Sequence, residues 1–270
     1  MAKYVVRFGS MRSLGVMTAR AKDEFVRGDE VVIRTARGLE IGQVLCPATE
    51  DSLSYLDQAP SGHIQRSLTA QDANEARHLD STKAEKVRTC REVVAQFGLP
   101  MKLVDIEQVF GGERIVIYFL SEDRIDFREL VKALAAQLQT RVEMRQIGVR
   151  DEAKLLADYG DCGQPICCAT HLSKMPPVSM KMAKLQKATL DPTKISGRCG
   201  RLKCCLRYEY DTYQDLRAEL PPVGAQIVTA NGRARVLDQE ILSQQLLVET
   251  EDLRRVIIPA SDVLSVMKRN

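Results

Sequence analysis

KLVDIEQVFGGERIVIYFLSE, residues 102 to 122, decides how the middle of the chain folds. Two runs that alternate apolar and polar residues flank Gly111-Gly112. Adjacent glycines accept the positive φ angles of a tight turn, so the stretch predicts a β-hairpin. Downstream, Asp126 is placed to cap a helix in DFRELVKALAAQLQ, where Phe127, Leu130, Val131, Leu134 and Leu138 recur at helical spacing. RVEMRQIG then reads as a strand. Upstream, TAQDANEARHLDSTKAEKVRTCREVVAQFG is rich in helix formers and stops at Gly98 and Pro100, which predicts a long helix. Cys90 is read as a core residue of that helix and His78 as an exposed one. The order helix, strand, strand, helix, strand predicts an α+β domain over 60–150, with helices layered on one antiparallel sheet.

Both ends of the chain read as β structure. KYVVRFG, LGVMTA and DEVVIRTARGLEIGQVL alternate between glycine-bearing turns, predicting an antiparallel unit over 1–58 with a hairpin turn at Arg37-Gly38. Cys46, at a strand end, is read as a small hydrophobe. Residues 48 to 66, with Pro60 and Gly62, read as a linker. From 211 to 270, Pro221-Pro222 and the Asn231-Gly232 turn precede alternating runs of a small β unit. The two β-rich ends could share one composite barrel.

Composition sets the class. The chain has 270 residues, 44% hydrophobic and 28% charged, as in ordinary globular proteins. MAKYVVRFGS lacks an apolar run of signal-peptide length, and no stretch nears about 18 uninterrupted apolar residues. A cytoplasmic protein without membrane insertion is expected. The net charge of +3 is too small to mark the whole chain as a nucleic-acid binder. No GxxxxGK[ST], no GxGxxG after a strand and no Ser/His/Asp set stands out, so no catalytic residue is assigned and the chain is not read as an enzyme.

Six of the eight cysteines sit in DCGQPICC (161–168) and RCGRLKCC (198–205), which share the pattern CGxxxCC. A reducing compartment makes clustered thiols metal ligands or redox groups rather than disulfides. Adjacent cysteines also lie about 3.8 Å apart at Cα, too close for an unstrained bridge. Each block offers Cys162, Cys167 and Cys168, or Cys199, Cys204 and Cys205. Zinc sites and iron–sulfur clusters commonly take four ligands. Four of the six sulfurs could hold one centre, or each block could hold its own, completed by His171, a small molecule or a partner. The spacing lacks the CxxC of zinc knuckles and lets sulfurs address different irons, which favours iron–sulfur over zinc. Met175, Met180 and Met182 are read as packing or partner-binding residues.

The region 151–210 is therefore read as a cysteine-rich metal module. From Lys174 to Arg207 the only acid is Asp191, so positive charge gathers around the thiols. Arg198, Arg201, Lys203 and Arg207 are expected to lower thiolate pKa values. Lys181, Lys184, Lys187, Arg198 and Arg201 also suit RNA phosphate, although with no Trp and only Tyr208, Tyr210 and Tyr213 nearby, stacking platforms are sparse. A Zn-stabilised RNA-binding protein and an Fe–S electron carrier are the alternative readings.

IGVRDEAKLL, GDCGQPICC, PVSMKMAKLQ and DPTKISGRCGRLKCCLRYE, with DFRELVKAL and RVEMRQIGVRDEAK, resemble the RicT (YaaT-like) family of bacterial regulators. The resemblance implies a cytoplasmic iron–sulfur protein that works with small helical partners, RicA and RicF, and influences messenger RNA processing by RNase Y. It also implies that Cys162, Cys167, Cys168, Cys199, Cys204 and Cys205 take part in binding [4Fe–4S] clusters, with further ligands from partners. Gln164 departs from the arginine often found there in the family, whereas Arg201 holds the matching place in the second block.

Overall fold

The structure, a computed structural model, describes residues 1–56, 59–172 and 176–267. The chain forms two compact units, Met1–Met175 with Arg198–Gly200, and Pro176–Gly197 with Arg201–Asn270.

The first unit begins with a closed barrel. Its strands are β1 (Lys3–Phe8), β2 (Ser13–Thr18), β3 (Glu30–Thr35), β4 (Gly38–Pro47) and, after a short helix α1 (Glu50–Ser54), β5 (Ser61–Ser67). The order around the barrel is β1-β2-β5-β3-β4, with β2 and β5 parallel and the other pairs antiparallel. Val6, Met17, Val31, Ile33, Val44 and Ile64 fill it. Closure at this small radius brings backbones close: a Cβ on Gly62 would clash with the Arg34 carbonyl oxygen. The barrel therefore closes on residues 61–67, which overlap the end of the stretch 48–66 expected as a linker. Among the described residues the five C-terminal strands pair with one another in a sheet of their own, and the closed barrel is made by the N-terminal strands alone, not by a composite of the two ends. Ile64 is the sole buried residue of β5, whose weak alternation hides it in the sequence.

The α+β layer follows: α2 (Ala70–Phe97), β6 (Lys102–Gln108), β7 (Ile115–Leu120), α3 (Arg128–Leu138) and β8 (Val142–Gln146). The hairpin β6-β7 forms as its glycines predict, with Gly112 at φ +72°. β8 pairs with β7 in parallel, so the sheet is mixed rather than antiparallel. An intervening helix returns the chain to the starting edge, and a strand-helix-strand path of that kind gives parallel pairing. Cys90, Val94, Leu130 and Leu134 of the helices cover Ile106, Ile115 and Ile117 on one face. Burial pushes the Cys90 thiol up to about 11, in keeping with a core role. On the other face Val104, Val116, Tyr118 and Ile147 pack with Met11, between β1 and β2. At the start of α2, Thr69 and Asp72 cap each other, and Arg66 pairs with Asp72. Asp126 accepts a bond from the Arg128 amide at 3.1 Å, although Phe127 occupies the cap position.

A polar knot joins barrel and layer. Arg37 Nη2 lies 2.6 Å from Glu107 Oε2 and 3.2 Å from Glu40 Oε2. Tyr118 donates to Glu107 at 2.5 Å, the Ser10 amide donates to it at 2.7 Å, and Thr35 donates to Glu40 at 2.6 Å. Buried carboxylates persist only when paired.

The first unit continues with α4 (Val149–Leu156) and a 3-10 turn at Cys167–Ala169. The second unit holds four short helices: α5 (Met180–Leu185), α6 (Pro192–Ile195), α7 (Cys205–Tyr208) and α8 (Tyr210–Ala218). Ala183, Ile195 and Leu206 form their small core. Five antiparallel strands follow, β9 (Gln226–Thr229), β10 (Gly232–Glu240), β11 (Gln245–Thr250), β12 (Arg255–Pro259) and β13 (Val263–Met267), in the order β12-β11-β10-β9-β13. No helix among the described residues is long and apolar enough to cross a membrane.

Desolvation raises the Glu40 carboxyl above its ordinary value, against the pull of Thr35 and Arg37. A raised native pKa favours the folded state at low pH, and that contribution is lost as pH rises from the unfolded value of about 4.3 through the folded one. Glu40→Gln should therefore melt with a flatter pH dependence than the wild type above about pH 4.3. Parallel curves for the two proteins in thermal melts across that range would refute this.

Candidate metal centre

The two cysteine blocks share one backbone design. In the first, the Gly160 amide donates to the Gln164 carbonyl at 2.8 Å and Tyr159 bridges Pro165. In the second, the Gly197 amide donates to the Arg201 carbonyl at 2.8 Å and Ser196 bridges Leu202. Each turn sets one cysteine, Cys162 or Cys199, near its tip. The following glycines have φ of +76° at Gly163 and +72° at Gly200, the left-handed region that L side chains avoid. The chain then enters a helical turn at the cysteine pair: Cys167–Ala169 is a 3-10 turn, and Cys204 is the cap of α7, which begins at Cys205. The repeated CGxxxCC is thus a repeated hairpin followed by a helical turn.

Within the first unit the tips meet. Arg198 Nε donates to the Tyr159 carbonyl at 3.3 Å and lies 3.3 Å from Asp161 Oδ1. Asp161 and Arg198 occupy the same place in the two blocks, one residue before Cys162 and Cys199, so the ion pair joins equivalent positions. Tyr159, Arg198 and Cys199 also line a groove of about 550 Å³ beside α4, with Val149 and Leu156.

Cys162 is exposed, and Cys167, Cys168, Cys199, Cys204 and Cys205 are half-buried. None of the eight cysteines forms a disulfide. Among the described residues, no three His, Cys, Asp or Glu side chains stand together at metal-holding distance. The donor chemistry suits a thiolate-bound centre, and the thiols are displayed on two turns instead of gathered in a closed shell.

The cations act differently from the expectation. Burial raises the Cys205 thiol, with the neighbouring Cys204 and Glu209 adding to it. Arg198 is paired with Asp161, Arg207 with Asp211 at 2.8 Å, and Lys203 donates to the Lys194 carbonyl at 2.6 Å. Lys187 is held by Asp238 at 2.7 Å and Glu240 at 3.0 Å, which removes it from the basic surface. Lys174 and Met175 lie outside the described residues. Lys154 of α4 is a cation that motif reading missed. It is half-buried, its ammonium is lowered by desolvation against the fields of Asp151 and Cys168, and α4 packs on the 3-10 turn. No motif marks it, because the contact depends on how α4 packs. Exposed His171 keeps its Nδ1 3.1 Å from the Thr170 hydroxyl.

Comparison with known proteins matches two regions to family models. Residues 62–147 match the PSP1 C-terminal conserved region. Residues 177–220 match the third domain of PSP1-like proteins. The chain is 44% identical over 230 residues to the stage 0 sporulation protein YaaT of Bacillus subtilis, covering 84% of this chain and 82% of that one. An uncharacterized protein of Schizosaccharomyces pombe, PB7E8.02, is 27% identical over 142 residues, 43% of this chain and 19% of the relative. No solved structure matches. The chain is thus a protein with PSP1-type regions, and within that class it belongs to the YaaT-like (RicT) family.

A Cβ on Gly163 or Gly200 would meet nothing within 4 Å, so substitution there costs backbone strain alone. Gly163→Ala should lose about 1 kcal/mol in denaturant unfolding. Gly197→Ala, whose Cβ would make ordinary contacts from 3.8 Å, should stay within about 0.5 kcal/mol of wild type. Equal losses at the two positions would contradict the left-handed turn as the determinant.

Proposed function

We propose that this chain is a non-catalytic regulatory subunit that binds one or two iron–sulfur clusters, of [4Fe–4S] type, through Cys162, Cys167, Cys168, Cys199, Cys204 and Cys205. The observation that carries the reading is the pair of matching blocks, each a hairpin and a helical turn that together present three thiols without a closed ligand shell among the described residues. A set one ligand short of four is completed from outside, and small helical subunits of the RicA and RicF kind are the partners we assign. A bound cluster would supply a redox-sensitive and oxygen-sensitive state. The chain's own part is to display the thiols on turns and to join the two tips through Asp161 and Arg198. Through its partners the subunit acts on RNase Y and messenger RNA processing in the cytoplasm, with RNA reaching the chain's own Lys181, Lys184, Lys187, Arg198 and Arg201. The B. subtilis relative is named a sporulation protein, and we carry a developmental regulatory role to this chain from that name.

Purified without oxygen, the protein or its complex should absorb broadly near ~400 nm, with iron and sulfide in matching amounts. A colourless protein holding stoichiometric zinc would replace the cluster with a zinc site. Cys199→Ser should lose cluster and partner assembly together while far-UV circular dichroism stays that of the folded chain. A retained cluster would remove Cys199 from the ligand set.

A further inference from the structure

The second unit carries a groove that the cysteine chemistry does not use. It runs between α5 and α8, has a volume of about 680 Å³, and is lined by Lys181, Lys184, Tyr210, Gln214, Arg217 and Gln239 among others. Lys181 and Lys184 are three apart on α5, and Tyr210, Gln214 and Arg217 recur at helical spacing on α8, so each set shares one helix face. No carboxylate lines it.

Charge pairing separates the cations of this groove from Lys187, Arg198 and Arg207 of the basic stretch. Lys187, Arg198 and Arg207 spend their charge on Asp238 and Glu240, on Asp161, and on Asp211. Lys181, Lys184 and Arg217 make no side-chain hydrogen bond or ion pair among the described residues. Three uncommitted cations around one cleft hold a concentrated positive field that a polyanion would neutralise. Tyr210 adds an aromatic ring to the lining, with the Arg207 guanidinium 6.0 Å from its centroid. Phosphate-binding cations beside a stacking ring are the two parts that single-stranded nucleic acid needs.

We infer that the α5–α8 groove binds single-stranded RNA, with Lys181, Lys184 and Arg217 on the phosphates and Tyr210 stacking on a base. The inference deepens the proposed RNA contact and rests on it, but it does not depend on the cluster. It removes Lys187 and Arg198, whose charges are paired, and Arg201, which is not among the groove's lining residues, and it adds Arg217 and Tyr210.

The test uses the full chain and a fluorescein-labelled oligouridine of about 12 nucleotides, followed by anisotropy across a salt series. Replacing Lys181, Lys184 and Arg217 together by alanine should weaken binding about tenfold or more and reduce the log–log salt slope by about 2, near 0.7 per lost contact. Tyr210→Leu should weaken binding about fivefold with the slope unchanged. Lys187→Ala should bind as wild type. On the unmutated chain, a 4-thiouridine-substituted oligomer should cross-link to α5 or α8 peptides. Wild-type affinity in the triple variant, or cross-links confined to other elements, would overturn the assignment. Unaltered binding by Tyr210→Leu, with dextran sulfate displacing the RNA at equal charge, would reduce the groove to a general anion site and overturn the RNA claim. Absorbance near ~400 nm in the triple variant keeps failure here distinct from failure of the cluster reading.

Discussion

A backbone hydrogen bond, made twice, sets how this chain displays its sulfur. An amide two residues before a cysteine, at Gly160 or Gly197, reaches the carbonyl two residues after it, at Gln164 or Arg201, in both cases over 2.8 Å. The bond forces the intervening chain through a tight turn, and only a residue tolerant of positive φ can follow the cysteine. Gly163 and Gly200 meet that demand. The chain leaves each turn directly into a helical turn, which explains why an adjacent cysteine pair follows at fixed distance. Adjacent thiols on a helical turn point in different directions, so each block spreads its sulfurs instead of gathering them into a closed shell.

Support for the first of these turns comes from the core. β7 is buried on both faces, by α2 and α3 on one side and by the packing around Met11 on the other. Arg37, Glu40, Glu107 and Tyr118 pin the barrel to the sheet through charge contacts inside that junction. α4 follows β8 and packs on the 3-10 turn that holds Cys167 and Cys168. The first block is thus attached, through α4 and β8, to the sheet whose middle strand β7 is buried on both faces, while Cys162 at the tip remains exposed.

Local signals carried most of what the sequence revealed. The Gly111-Gly112 hairpin, the helix over 70–97 and the helical spacing around Leu130 and Leu134 each depend on neighbours within one element, and all three formed. The parallel pairing of β8 and the closure of the barrel by β5 depend on partners far along the chain, where alternation says nothing. The six cysteines were legible at once, and so was their threefold grouping. Their shared backbone was also written there, since both blocks read GxCG, although ligand spacing drew attention away from the first glycine. What spacing could not reveal was pairing between charges. Lys187 looks like its neighbours Lys181 and Lys184 in sequence, and only the register of β10 brings Asp238 and Glu240 to neutralise it. Arg217 and Lys154 were passed over for the converse reason, since their roles arise from helix packing.

The proposed metal centre requires that the six cysteines of the two blocks act as ligands together, apart from Cys46 and Cys90. Differential alkylation read by mass spectrometry tests it most directly, on protein isolated without oxygen and on the same protein after iron chelation. Cys162, Cys167, Cys168, Cys199, Cys204 and Cys205 should be protected before chelation and labelled after it, with buried Cys90 unlabelled in both. Equal labelling of Cys162 and Cys199 before and after chelation would contradict it.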